Sequence, residues 1–125
     1  MPVVRHTEQR VTETPNATMT TLASPTLGGA SQSLWRVQMA PGTAGPPHVI
    51  DAEQVWNVLG GGATVEMGDD VYAVAAGDTI VLPADVARRI TADSDQGLTA
   101  VVTGSGDGRA LLVDGTDRGV PAWVA

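Results

Sequence analysis

The sequence predicts an all-β domain, and three observations carry that reading. Apolar residues fall in segments of four to seven residues separated by chain breakers. No window shows a sustained helical period. Val and Thr are abundant beside 15 Gly and 8 Pro, a composition that favours short strands and turns. Many short strands at regular spacing point to a sandwich or a barrel. At 125 residues the chain fits one domain able to bury a core without disulfides or a structural metal.

Residues 1–18 are polar, with turn signals at Pro15-Asn16, and read as an N-terminal arm carrying one or two edge strands; residues 19–125 read as the barrel. Thr18–Ala23 is β-prone and is broken by Ser24-Pro25 and Gly28-Gly29. Leu34–Met39 alternates, with Trp35, Val37 and Met39 on one face. His48–Ile50 and Glu53–Leu59 follow, and Gly60-Gly61-Gly62 reads as a hairpin turn. Ala63–Met67 and Val71–Ala75 flank Met67-Gly68-Asp69-Asp70 as a second hairpin. Thr79–Leu82, Arg88–Ala92, Leu98–Thr103 and Arg109–Val113 complete the series.

Composition removes several function classes. The net charge is −7, and all seven basic residues are Arg, with only Arg88 and Arg89 adjacent. Nucleic acids and anionic membranes demand a basic stripe, so neither is expected as a partner. The chain has no Cys, which excludes thiolate nucleophiles, zinc–thiolate sites and disulfides. It also has no Lys, which excludes Schiff-base chemistry. No stretch approaches the roughly 20 apolar residues of a membrane span, and no basic-then-apolar leader opens the chain, so the expected address is the cytoplasm. Asn16-Ala17-Thr18 has the form of a glycosylation sequon and is read as chance.

Two segments have the spacing of a known family. Gly42 is followed, after five residues, by His48-x-Ile50, then Gln54, then Gly61. Gly77 is followed, after five residues, by Pro83-x-Asp85, then Arg88. Fifteen residues separate Gly61 from Gly77, and Asp114-Gly115 with Pro121-Ala122-Trp123 resembles a closing segment. Over residues 34–123 the chain resembles the small single-domain cupins. That resemblance implies a jelly-roll β-barrel (a double-stranded β-helix) enclosing a small-molecule pocket. It also implies a homodimer paired through the N-terminal strand and an outer sheet face, which edge strands in need of covering also favour.

Four positions depart from the family pattern. Where two His, a Glu and a further His would converge on a divalent metal, this chain has His48, Ile50, Gln54 and Arg88. Ile50 has no donor atom, and Arg88 is a fixed cation. No metal or other cofactor is expected; if one binds, His48 and Gln54 are its candidate ligands. Shifting the register to use Glu53 would turn it to the face opposite Gln54, Trp56 and Val58.

Alternation places His48, Ile50, Gln54, Trp56, Val58, Arg88 and Ile90 on one face. With Trp35 and Met39 they form a pocket of apolar walls holding one imidazole, one amide and one guanidinium, suited to a carboxylate, enolate or keto group. His48 is the candidate acid or base, and Arg88 the candidate anion holder. Gln54, Trp56, Ile50, Trp35 and Met39 are the candidate ligand contacts. Asp51 and Glu53 are read as solvating the rim, with either available to orient His48, and His6 lies in the arm. Three functions stay open: a metal-independent isomerase, cyclase or lyase; a non-catalytic binding or sensing module; and a metalloprotein with a rearranged site, to which His6 from a swapped arm would add a ligand.

Overall fold

The computed structural model describes residues 2–125. After a 3-10 turn at His6–Glu8 come ten strands: β1 (Arg10–Glu13), β2 (Thr18–Ala23), β3 (Gln32–Met39), β4 (His48–Ile50), β5 (Gln54–Met67), β6 (Asp70–Ala75), β7 (Thr79–Leu82), β8 (Arg88–Ala92), β9 (Leu98–Ser105) and β10 (Ala110–Leu112). They pair antiparallel throughout.

One strand belongs to two sheets. The first half of β5 lies between β9 and β7, completing a sheet ordered β1-β2-β3-β9-β5-β7. Its second half lies between β6 and β8, in a sheet ordered β6-β5-β8-β4-β10. The sheets curl against each other into the expected jelly roll. All-β architecture follows directly from the strand-rich, breaker-punctuated sequence.

Gly60-Gly61-Gly62 is not the hairpin turn that the sequence suggested. The three glycines lie inside β5, where the strand bends from one sheet to the other. The register slips between Val58 and Gly60, and Gly61 sits at φ 66°. A Cβ on Gly61 would collide with the carbonyl oxygen of Gly97 on the neighbouring turn. Here glycine serves close backbone approach, and no chain reversal occurs. Met67-Gly68-Asp69-Asp70 does reverse the chain, with Met67 paired to Asp70.

The inward faces form the core. In β3 burial alternates strictly, with Ser33, Trp35, Val37 and Met39 buried. In β5 it runs through Gln54, Trp56 and Val58. Val58, Ala63, Val65, Ala92, Leu98 and Ala100 fill one part of the interior. The other part is hollow. The final segment packs beside that hollow: Thr21 Oγ1 donates to the Trp123 carbonyl at 2.8 Å, Ser33 Oγ donates to that of Val124, and the Val124 side chain is buried.

Candidate functional site

A cavity of about 470 Å³ occupies the hollow. Strand pleat explains its lining, because every second residue of β3, β4, β5 and β8 points inward. His48 and Ile50 reach it from β4, Gln54 and Trp56 from β5, Arg88 from β8, and Trp35 and Met39 from β3. The seven residues singled out in the sequence therefore come together in one space. His6 stays outside, exposed on the 3-10 turn.

The polar groups interlock. His48 and Arg88 are the one residue pair that joins β4 to β8. Arg88 Nε donates to His48 Nε2 at 3.3 Å, and Arg88 Nη2 donates to Gln54 Oε1 at 2.8 Å. Trp56 Nε1 donates to the same oxygen at 3.4 Å. His48 Nδ1 lies 3.1 Å from the Pro46 carbonyl, which can only accept. The imidazole is thus the neutral tautomer protonated at Nδ1, with its Nε2 lone pair turned to the guanidinium. Burial and, secondly, the Arg88 charge lower the His48 pKa; the Pro46 bond opposes them.

Asp51 and Glu53 do not orient His48. Asp51 Oδ1 instead accepts from the Arg109 backbone N–H at 2.6 Å, and Glu53 is exposed. The orienting group is the Pro46 carbonyl, a backbone atom with no signature in side-chain chemistry. Arg89 Nε donates to the adjacent Gly45 carbonyl at 3.1 Å and so holds that loop in place.

Arg88 is the anomalous residue. Its side chain is only 4% exposed, yet no carboxylate meets it. Among the described residues the one ion pair joins Arg109 to Asp117 at 3.1 Å on the surface. Nη1 of Arg88 is buried without a partner. Burial lowers its pKa to about 10, so it remains a cation at neutral pH.

Sequence reasoning missed part of the wall. Trp123 and Pro121 from the final segment, and Thr14 and Asn16 from the turn after β1, also line the cavity. All three tryptophans of the chain therefore face one space. The contributions from the arm turn and final segment come from parts of the chain where no periodicity marks an inward face.

A sequence profile described as the cupin domain matches residues 35–104, more than half of the chain. The chain belongs to the cupin family. Solved structures agree on the fold of this cupin. A cupin-2 domain protein from Rhodospirillum rubrum superposes with a TM-score of 0.76 at 18% identity, covering 86% of this chain and 77% of the other. The polyketide cyclase RemF from Streptomyces resistomycificus gives 0.70 at 22%, covering 84% and 79%. KdgF from Halomonas sp. gives 0.69 at 18%, covering 82% and 93%. At these identities the likeness is one of fold. No curated protein matches the sequence.

Many cupins hold a divalent metal at the four motif positions, and here the donors do not fit one. Ile50 offers none, while His48 Nε2 and Gln54 Oε1 are both turned to a guanidinium whose charge would repel the ion. Among the described residues, no three His, Cys, Asp or Glu side chains converge. No helix is long and apolar enough to cross a membrane.

Proposed function

We propose that this cupin binds a small organic anion in its barrel without a divalent metal, and that His48 moves a proton while Arg88 holds negative charge. The observation that carries the proposal is the Arg88 guanidinium, buried beside a neutral imidazole and facing no carboxylate. An uncompensated buried charge is costly, and a bound oxyanion relieves that cost.

The chemistry supported is proton abstraction next to a carbonyl, the step shared by isomerases, cyclases and lyases. The proton leaves carbon for His48 Nε2. The C–H electron pair forms the carbon–carbon double bond as the carbonyl π pair moves onto oxygen, and Arg88 and Gln54 stabilise the resulting enolate. An anion beside Arg88 offsets the charge that depresses the His48 pKa, which makes the imidazole a better base with ligand bound.

The test is deuterium exchange in D2O at carbon adjacent to the carbonyl, followed by NMR across a panel of keto acids. Wild type should exchange label, and His48→Ala should not while keeping its circular dichroism. Equal exchange by the variant would sink the role of His48.

A second reading is a binding module without turnover, favoured by the engagement of His48 Nε2 with Arg88, which leaves the lone pair occupied in this state. Saturable binding with no exchange over long incubation would select it. The assembly proposed is a homodimer. Exposed Val71 and Tyr72 on β6 and Val81 on β7 support it, and light scattering tests it.

A further inference from the structure

We propose that the ligand is an aryl carboxylate, or the corresponding enolate, seated with an oxygen on the Gln54 amide nitrogen beside the Arg88 guanidinium; this deepens the reading of the cavity as a small-molecule site. The hydrogen-bonding groups left free at its polar end decide the ligand's chemistry.

Gln54 Oε1 accepts from Arg88 Nη2 and Trp56 Nε1. Arginine and indole nitrogens can only donate, so the amide cannot be reversed and Oε1 must face them. Gln54 Nε2 then lies on the other side of the amide. It has no partner within the protein among the described residues, while its side chain lines the cavity. His48 spends Nδ1–H on Pro46 and Nε2 on Arg88 Nε. Arg88 spends Nε and Nη2, leaving Nη1. Of these three side chains only donors remain unpartnered: the Gln54 amide N–H2, which lines the cavity, and Arg88 Nη1, which is closed off behind it.

At this cluster the cavity therefore takes a group that accepts hydrogen bonds. Its charge sense is set as firmly. The chain carries 14 acidic residues, and none lines this cavity. A ligand ammonium would meet a buried cation with nothing to offset it. Arg118 also lines the cavity and adds a second positive charge, but a phosphate ion has no apolar body to pack on the tryptophans. A carboxylate matches the Arg88 cation in charge and the neighbouring Gln54 amide donor in hydrogen bonding. Trp35, Trp56 and Trp123, with Met39 and Ile50, supply the apolar wall against which an aromatic body packs.

Calorimetric titration of the whole chain tests this with 2-naphthoate, 2-naphthalenemethanol, 2-naphthylmethylamine, cyclohexanecarboxylate and inorganic phosphate. Naphthoate should bind one to one, at least tenfold tighter than the alcohol or the cyclohexyl acid. The amine and phosphate should not bind. Arg88→Met should weaken naphthoate by tenfold or more, and Gln54→Leu by a smaller factor; circular dichroism checks that both fold. Equal affinity for acid and alcohol, or unchanged binding by Arg88→Met, would overturn the carboxylate assignment and leave the small-molecule reading standing. A cyclohexyl acid equal to naphthoate would overturn the aromatic assignment. If none of the organic probes binds at millimolar concentration, the small-molecule reading falls with the inference.

Discussion

Arg88 and His48 face each other across the single residue pair linking β4 to β8, with Arg88 Nε donating to His48 Nε2 at 3.3 Å. The contact joins a buried cation to a neutral ring. It satisfies hydrogen-bonding groups on both sides and neutralises nothing. In a protein interior, that combination is retained at the expense of stability.

Replacement of Arg88 should therefore stabilise the fold. Burial lowers its pKa to about 10, and at about 1.4 kcal/mol for each tenfold change in acidity the charged form costs on the order of 3 kcal/mol. Met matches the stem of Arg and carries no charge. Removing the guanidinium also removes its bonds to His48 and Gln54, each worth about 1 kcal/mol net, though Gln54 Oε1 keeps the Trp56 indole. Arg88→Met is expected to gain about 1 kcal/mol, raising Tm by a few degrees in thermal unfolding. A Tm lowered by several degrees would make Arg88 a structural residue.

The imidazole gives the fold a pH dependence of definite sign. Folded His48 is held neutral to a pH below the usual imidazole value of about 6.5, by burial first and Arg88 second. On acidification the unfolded chain takes up the proton before the folded chain does. Stability should thus fall as pH drops through about 6.5, and level off below the folded value. Urea midpoints between pH 8 and 5 should decline for wild type relative to His48→Gln. Parallel profiles would show that the folded ring titrates normally. Hydrogen bonds lower the pKa values of Asp93, Asp114 and Asp117, placing those carboxylates in a separate, more acidic window.

The strand bend makes two glycines sharply different. Gly61 (φ 66°) lies against the Gly97 carbonyl, whereas Gly42 (φ 74°) has nothing within 4 Å of the position that a methyl group would take. Gly42→Ala should cost about 1–2 kcal/mol, the penalty of left-handed backbone alone. Gly61→Ala adds a collision with backbone that cannot rotate away, and should cost more than about 4 kcal/mol or prevent cooperative folding. Urea denaturation of the pair checks this; similar losses would mean that the bend in β5 yields easily.

Whatever period 2 controls is legible in the sequence. Alternation puts Trp35, Gln54, Trp56 and Arg88 on the inner face, and the motif spacing brings His48 and Arg88 to one place. Two kinds of information are out of its reach. The Gly60-Gly61-Gly62 run has the composition of a turn, and only contact with Gly97, 36 positions beyond Gly61, makes it a bend within a strand. The orientation of His48 depends on a backbone carbonyl, and the Trp123 wall on hydrogen bonds from Thr21 and Ser33 to the final segment. Such contacts leave no local pattern.

Gly104 offers a way to move Gln54 without altering any polar group. It lies opposite Gln54 in the β5–β9 register, and a Cβ there would stand 3.1 Å from Gln54 Cγ and 3.3 Å from the Glu53 carbonyl oxygen. The backbone oxygen gives little ground, so Gly104→Ala should push the Gln54 stem and draw Oε1 away from Arg88 Nη2. Overpacking of this kind costs about 1–3 kcal/mol, small enough for the barrel to persist. Naphthoate affinity should fall about tenfold, because one donor is displaced and the guanidinium it positions is loosened. Calorimetry on the folded variant reads the effect directly. If affinity is unchanged while Tm drops, Gln54 merely fills the wall, and Arg88 alone holds the anion.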